Sequence, residues 1–363
     1  APEQREAFRE LEDDPEFYGL FVARPPLTMN LKSVASPTAA LFRALAAPAP
    51  LDEALLEDRE AFDDVIELVL DGILELERGD AYLSGADALP FLAPELTEPP
   101  SRNAIARLSL EALQHAQDLE TADPHLLTNA LYFYNRIPLS PFWKSRFPDR
   151  AAVAAHLGID RGPLRLLLER EWSAAPPERS AGWLSWSSRS APRARDASMV
   201  THKLYLSPRP ERIRDVFETV VRVLADFPGS QFKIGQDAAG LLRPDKLVAY
   251  FPTRAELDAA AVALQRELAG CEAHGVPFTA GIDDDGLLSW GADPPESDRA
   301  LSWLGRESWR LWVAQRLGAA IAMGKSARSA AAVEPWRFAI ERVRRQGVDV
   351  DTWSPSASLW SVQ

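Results

Sequence analysis

Thr201-His202-Lys203-Leu204-Tyr205-Leu206-Ser207, Gln231-Phe232-Lys233-Ile234-Gly235 and Lys246-Leu247-Val248-Ala249-Tyr250-Phe251 are three short runs whose reading decides the fold. Successive side chains of a strand point to opposite faces. In the first run this sets Lys203, Tyr205 and Ser207 on one face and His202, Leu204 and Leu206 on the other. In the second, Phe232 and Ile234 point one way and Lys233 the other. The apolar members need a partner, and the chain supplies one directly. Ile213, Val216, Phe217, Val220, Val221 and Leu224 fall at helical spacing within 211–226, a helix apolar on a single face.

Working outward, Thr253 and Glu256 form a capping box that opens a second helix carrying Leu257, Ala260, Ala261, Leu264 and Leu268. Strands are expected at 278–282 and 287–290, joined by the turn Asp283-Asp284-Asp285-Gly286. A last long helix carries Trp309, Trp312, Val313, Leu317, Ala320 and Ile321. Strands and helices in the order β-α-β-β-α-β-β-α predict a mixed α+β sandwich over 199–363 rather than a doubly wound sheet.

Upstream, residues 173–198 are rich in Ser, Ala, Pro and Arg around Trp183 and Trp186 and read as a loop or linker. Residues 101–172 read as a helical connecting region, with Asp149 opening one of its helices. Before a Pro-rich break at 90–100, the segment 33–90 reads as three helices and a hairpin, a winged-helix-like unit. Its first helix starts at Ser36-Pro37 and its hairpin turns at Arg78-Gly79-Asp80. Residues 1–32 read as an acidic, irregular lead-in.

Charge separates these parts. Residues 1–100 hold 7 Lys and Arg against 22 Asp and Glu, whereas the other 263 are nearly balanced, within a net charge of -13. The third helix of the front unit carries Asp58, Glu60, Asp63, Asp64 and Glu67, a face that repels the phosphates of nucleic acid. Partners such as nucleic acid and membrane are therefore not expected, and no apolar run approaches eighteen residues. Cys271 is the sole cysteine, which rules out an intrachain disulfide and fits a cytoplasmic setting. Five histidines lie scattered without paired spacing, so neither a metal site nor another cofactor is expected.

Lys203, Tyr205 and Lys233 sit inside apolar strands, and Arg243 and Lys246 open the next one. Cations gathered on one sheet face repel each other unless an anion lies between them. Arginine offers a fork for phosphate and lysine a point charge. The plainer alternative is an antiparallel sheet with one wet face, and Asp245 beside Arg243 could equally form a structural ion pair.

The pattern Lys203-Leu204-Tyr205, then Phe232-Lys233, then Arg243-Pro244-Asp245-Lys246-Leu247-Val248-Ala249-Tyr250 resembles the core of the HopA-type effector family. It also resembles the lyase proteins of class V lanthipeptide and thioamitide biosynthesis and, more distantly, the phosphothreonine lyases. The resemblance covers roughly 200–325. It implies a carbon–oxygen lyase that eliminates phosphate from phosphorylated Ser or Thr of a ribosomally made precursor peptide. The product is a dehydroamino acid, and a separate partner kinase phosphorylates the substrate first. By this resemblance Lys233 is the base, Lys203 holds the enolate or phosphate, and Arg243 and Lys246 grip phosphate. Tyr205, where the enteric lyases have histidine, is the general acid. The winged-helix-like unit would either capture the leader of the precursor by strand addition or serve only as a scaffold. The competing reading is a non-catalytic protein, or an effector, that uses the same fold to recognise a phosphorylated or acidic partner.

Overall fold

The computed structural model describes residues 15–21, 32–93, 103–176, 182–190, 201–294, 307–329, 332–356 and 359. They fall into two compact units divided between Ala88 and Leu89, with residue 307 onward belonging to the second.

In the first unit, β1 (Phe17–Phe21) pairs antiparallel with β2 (Lys32–Ala35). Then come α1 (Ser36–Ala44), α2 (Glu53–Glu57), α3 (Arg59–Leu70) and the hairpin β3 (Leu76–Arg78) and β4 (Ala81–Leu83). Three helices followed by a hairpin is the expected order. Strand β1 was not expected, since 1–32 reads as irregular. Ser36 differs in detail: Ala35 is the cap residue, and no side chain caps α1. Helix α3 is capped by Asp58, whose carboxylate accepts from the backbone N–H groups of Glu60 (3.0 Å) and Ala61 (3.2 Å). It buries Val65, Ile66, Val69 and Leu70. The turn of the hairpin rests on Gly79, at φ +60°. Helix α4 (Gly85–Leu92) follows, with Pro90 inside it rather than at its end.

The second unit is built on a seven-stranded sheet in which every pairing is antiparallel. Its strands are β5 (Trp172–Ala174), β6 (Trp183–Ser188), β7 (Thr201–Leu206), β8 (Gln231–Gly235), β9 (Leu247–Phe251), β10 (Ala280–Gly281) and β11 (Leu288–Asp293), in the spatial order β10-β11-β7-β9-β8-β6-β5. Helices α5 (Ala104–Asp118), α6 (Pro124–Tyr132), α7 (Pro141–Arg146), α8 (Arg150–Leu157) and α9 (Pro163–Glu171) precede it or lead into it. Helices α10 (Ile213–Leu224), α11 (Ala238–Leu241) and α12 (Arg254–Glu267) connect its strands. Helices α13 (Trp309–Lys325) and α14 (Pro335–Arg345) follow, with the short pair β12 (Val348–Asp349) and β13 (Ser354–Pro355) after them. The architecture is mixed α+β, as the element order predicts.

One sheet face buries Leu204, Leu206, Phe232, Ile234, Leu247, Ala249 and Phe251 in a single core with the apolar faces of α10 and α12. Full burial of such side chains is worth ~1.5–3 kcal/mol each, so this face drives the assembly. Thr253 caps α12 by accepting from the Glu256 N–H at 3.2 Å, and its hydroxyl donates to the Glu256 carboxylate at 2.9 Å.

The segment 173–198 departs from expectation. It opens on strand β5 and holds strand β6 in its middle, while 177–181 and 191–200 lie outside the described residues. Leu184 and Trp186 face the core, where the Trp186 ring stacks on Phe232 at 5.3 Å. Trp183, Ser185 and Ser187 take the other face. Serine at the outward positions hides this period in a composition that looks like loop.

Candidate active site

The second face of the sheet is covered, not wet. Tyr205 and Val248 pack against Val276. The Thr279 hydroxyl donates to Ser289 at 2.8 Å. Trp309 of α13 lies where a Cβ on Gly291 would sit, 2.6 Å away, so only glycine fits there. Lys203 is 7% exposed and Tyr205 3%.

Between these covers lies a cavity of about 160 Å³ lined by Lys203, Tyr205, Lys233, Arg243 and seven further residues, among them Tyr132, Trp183, Asp245 and Arg310. Register explains the convergence. Tyr205 pairs across the sheet with Val248, which pairs with Lys233, and Lys203 pairs with Tyr250. Three strands thus deliver one row of side chains to the same face.

The cations are held in different ways. Lys203 forms an ion pair with Asp293 at 2.5 Å. Arg243 closes its fork on Asp245, Nε and Nη2 each donating at 2.8 Å, and Nη2 also donates to the Tyr132 hydroxyl at 3.3 Å. The plainer reading of Arg243 and Asp245 as an ion pair is therefore what the structure contains, and a phosphate would meet the remaining Nη1. Arg310, fully buried, places Nη1 3.0 Å from the same Asp245 carboxylate. It also donates from Nε to the Pro277 carbonyl (3.1 Å) and from Nη2 to the Tyr132 carbonyl (2.9 Å). Burial works to raise the Asp245 pKa, but the two arginines prevail and hold it well below the usual carboxylate range. Four cationic side chains and the two carboxylates they meet leave a surplus of two positive charges around the cavity.

Lys233 stands apart. Among the described residues no hydrogen bond or ion pair reaches its ammonium. Its Nζ lies over aromatic rings instead, 4.3 Å from the Trp183 centroid and 5.5 Å from that of Tyr250. Burial, then the charge of Lys203, lowers its pKa to about 8. Burial and the nearby Asp293 push the Tyr205 phenol well above its ordinary value, so it keeps its proton.

Lys246 does not join this group. It precedes β9, is 0% exposed, and donates to the Pro208 carbonyl at 3.0 Å while lying 2.7 Å from Nδ1 of His274. Its expected place in a phosphate grip is replaced by a place in the packing. Conversely, Tyr132, Asp293 and Arg310 belong to the site but were not singled out in the sequence. The usable signal was Arg310, a cation set between Trp309, Leu311 and Trp312 in the apolar first turn of α13. Trp183, read as part of a loop, is a wall of the cavity. Among the described residues no cluster of three or more His, Cys, Asp or Glu could hold a metal ion.

No family model matches the chain. No curated protein matches it either. Among solved structures it is similar to an effector protein from Pseudomonas syringae pv. tomato strain DC3000, at TM-score 0.45 and 10% identity over 70% of this chain and 98% of that one. It is also similar to an effector protein from Pseudomonas syringae pv. syringae strain 61, at TM-score 0.42 and 12% identity over 72% of this chain and 99% of that one. At that level the likeness identifies neither family nor activity.

Proposed function

We propose that this cavity takes the phosphorylated side chain of a Ser or Thr in a peptide and eliminates phosphate from it. The observation that carries the reading is Lys233: a half-buried amine with no acid partner, a pKa lowered to about 8, and a protonated phenol in the same cavity. A lysine serves as a base only when neutral, and burial beside other cations is what favours the neutral form.

The step balances within the side chains present. Lys233 Nζ takes the Cα proton, and the C–H electron pair becomes the Cα=Cβ bond. The Cβ–O bond breaks, its electrons leave with the phosphate, and the Tyr205 hydroxyl donates a proton to the departing oxygen. Lys203, steadied by Asp293, faces the negative charge that develops on the peptide carbonyl. Arg243 and Arg310, both anchored on Asp245, face the phosphate. No metal or organic cofactor is needed.

The resemblance of 203–250 to peptide-dehydrating lyases supports a ribosomal precursor peptide as substrate, phosphorylated beforehand by a partner kinase in the cytoplasm. In this reading the front unit is winged-helix-like and captures unphosphorylated leader. Its acidic α3 suits a basic leader and opposes nucleic acid. Incubating the protein with phosphoserine and phosphothreonine peptides of such a precursor tests the reading. The peptide should lose the mass of phosphoric acid, and a competent phosphopeptide left intact would refute it.

A recognition-only role has one observation in its favour: Arg243 and Lys203 are already paired with carboxylates. Under that reading phosphopeptide binds, its mass never changes, and substitutions in the cavity alter affinity alone.

A further inference from the structure

Lys233 lacks the carboxylate that normally pairs a half-buried lysine, and aromatic rings lie against its ammonium instead. Trp183 sits on β6 opposite Gly235, and the next residue on the same face, Ser185, sits opposite Lys233. Trp183 and Lys233 are therefore diagonal neighbours, within reach of a large ring. Gly235 must be glycine, because a Cβ there would lie 2.4 Å from the Gly240 backbone, which packs against it. The indole leans over Lys233, with Nζ 4.3 Å from its centroid, and meets the Arg243 guanidinium at 5.1 Å. Lys233 and Arg243 repel each other, and the same indole attracts both.

We propose that Trp183 is the positioning residue of this cavity, its indole aligning Lys233 and Arg243 in the place a carboxylate would otherwise occupy. The inference rests on the reading of Lys233 as the base. Its functional sense is chemical. A carboxylate against Lys233 would hold the proton on the amine, whereas an aromatic face fixes the side chain with a far weaker bias toward the charged form.

The groups that face Lys233 are Lys203 and Tyr205 from β7, Arg243 and Asp245 ahead of β9, Tyr250 within β9, Asp293 at the end of β11, Tyr132 from α6 and Arg310 from α13. All of them remain when Trp183 is changed. Trp183→Phe keeps a π-face and Trp183→Leu keeps only apolar bulk, so the difference between these variants isolates the aromatic contribution from any change in burial. The chain has six lysines. Carbon-13 labelling at Cε, with Lys233→Arg to assign the signal, allows the Lys233 titration to be followed by NMR in the resting protein. Lys233 in Trp183→Leu should titrate about half a unit to one unit lower than in Trp183→Phe. Its Cε signal should also broaden or split as the side chain loses its single position. Equal titrations with an unchanged line shape in two folded variants would overturn the inference. Because the readout needs no turnover, it stands or falls separately from the elimination reaction. Should Trp183→Leu not fold, Trp183→Tyr against Trp183→Phe gives the opposite control: both keep a π-face, and a gap between them larger than that between wild type and Trp183→Phe would contradict the assignment.

Discussion

Two lysines of the second unit, Lys233 and Lys246, are both withdrawn from water and both carry lowered pKa values, about 8 and about 7, with burial the leading cause in each. Their surroundings differ completely. Lys246 is sealed, spends its donors on a carbonyl and on His274, and ties the approach to β9 to residues 208 and 274. Lys233 opens on a cavity, has aromatic walls instead of hydrogen-bond partners, and shares its space with Tyr205 and Lys203. A lowered pKa is therefore not what marks a base. An unbonded lone pair with room for a substrate in front of it is.

The sharpest way to break this comparison is to remove each amine in turn. Lys233→Ala should lower elimination by about 10²–10⁴ or more, measured by peptide mass, while phosphopeptide affinity changes little. Lys246→Met should leave the rate per folded molecule near that of wild type. It should instead destabilise the protein by about 1–3 kcal/mol in chemical denaturation, since Pro208 and His274 lose their partner. If the two effects exchange places, the assignment of roles is wrong.

Next in size is Tyr205→Phe, expected to slow elimination by roughly 10²-fold or more without abolishing it, because phosphate is already a fair leaving group. Single-turnover kinetics on a phosphopeptide would show this, and an unchanged rate would remove Tyr205 from the mechanism. Arg243→Ala should weaken phosphopeptide binding by about tenfold to a hundredfold, the worth of a charge-assisted contact, as measured by calorimetry. The effect is smaller than for a free guanidinium, because its fork is committed to Asp245.

The pH dependences sharpen the comparison further. Elimination should rise about tenfold per pH unit below 8 and level off above it, as Lys233 becomes neutral. Stability should follow its own profile. Lys246 has a folded-state pKa below its unfolded one, so the unfolded chain binds more protons between about pH 7 and 10.5 and folding stability rises across that window. The cost of burying the charged amine is fully present below pH 7. Lys233 contributes in the same sense from about pH 8 upward. Lys246→Met should flatten the stability profile and leave the activity profile in place.

Strand alternation made the core legible in the sequence: β7, β8, α10 and the facing of Lys203, Tyr205 and Lys233 all follow from it. The same rule misplaced Lys246. In phase it matches Val248 and Tyr250, but it lies one residue before β9 begins, where its side chain turns to Pro208 and His274. Tyr132, Asp293 and Arg310 were out of reach for another reason. Tyr132 and Arg310 are 178 residues apart in the chain, and nothing local announces that one binds the other. Trp183 was hidden by its serines, which make a half-buried edge region of the sheet resemble a linker. Helices α7 and α9 were not placed one by one within the helical region 101–172, and α14 went unread despite strong amphipathicity, because three arginines crowd its last turn.

The account stands most directly on one measurement: the mass of a phosphorylated precursor peptide after incubation with wild type and with Lys233→Ala, each shown to bind the peptide. Wild type should remove phosphoric acid and leave a dehydroamino acid, and Lys233→Ala should return the phosphopeptide intact. Elimination that proceeds equally well in both, or in neither, would contradict it.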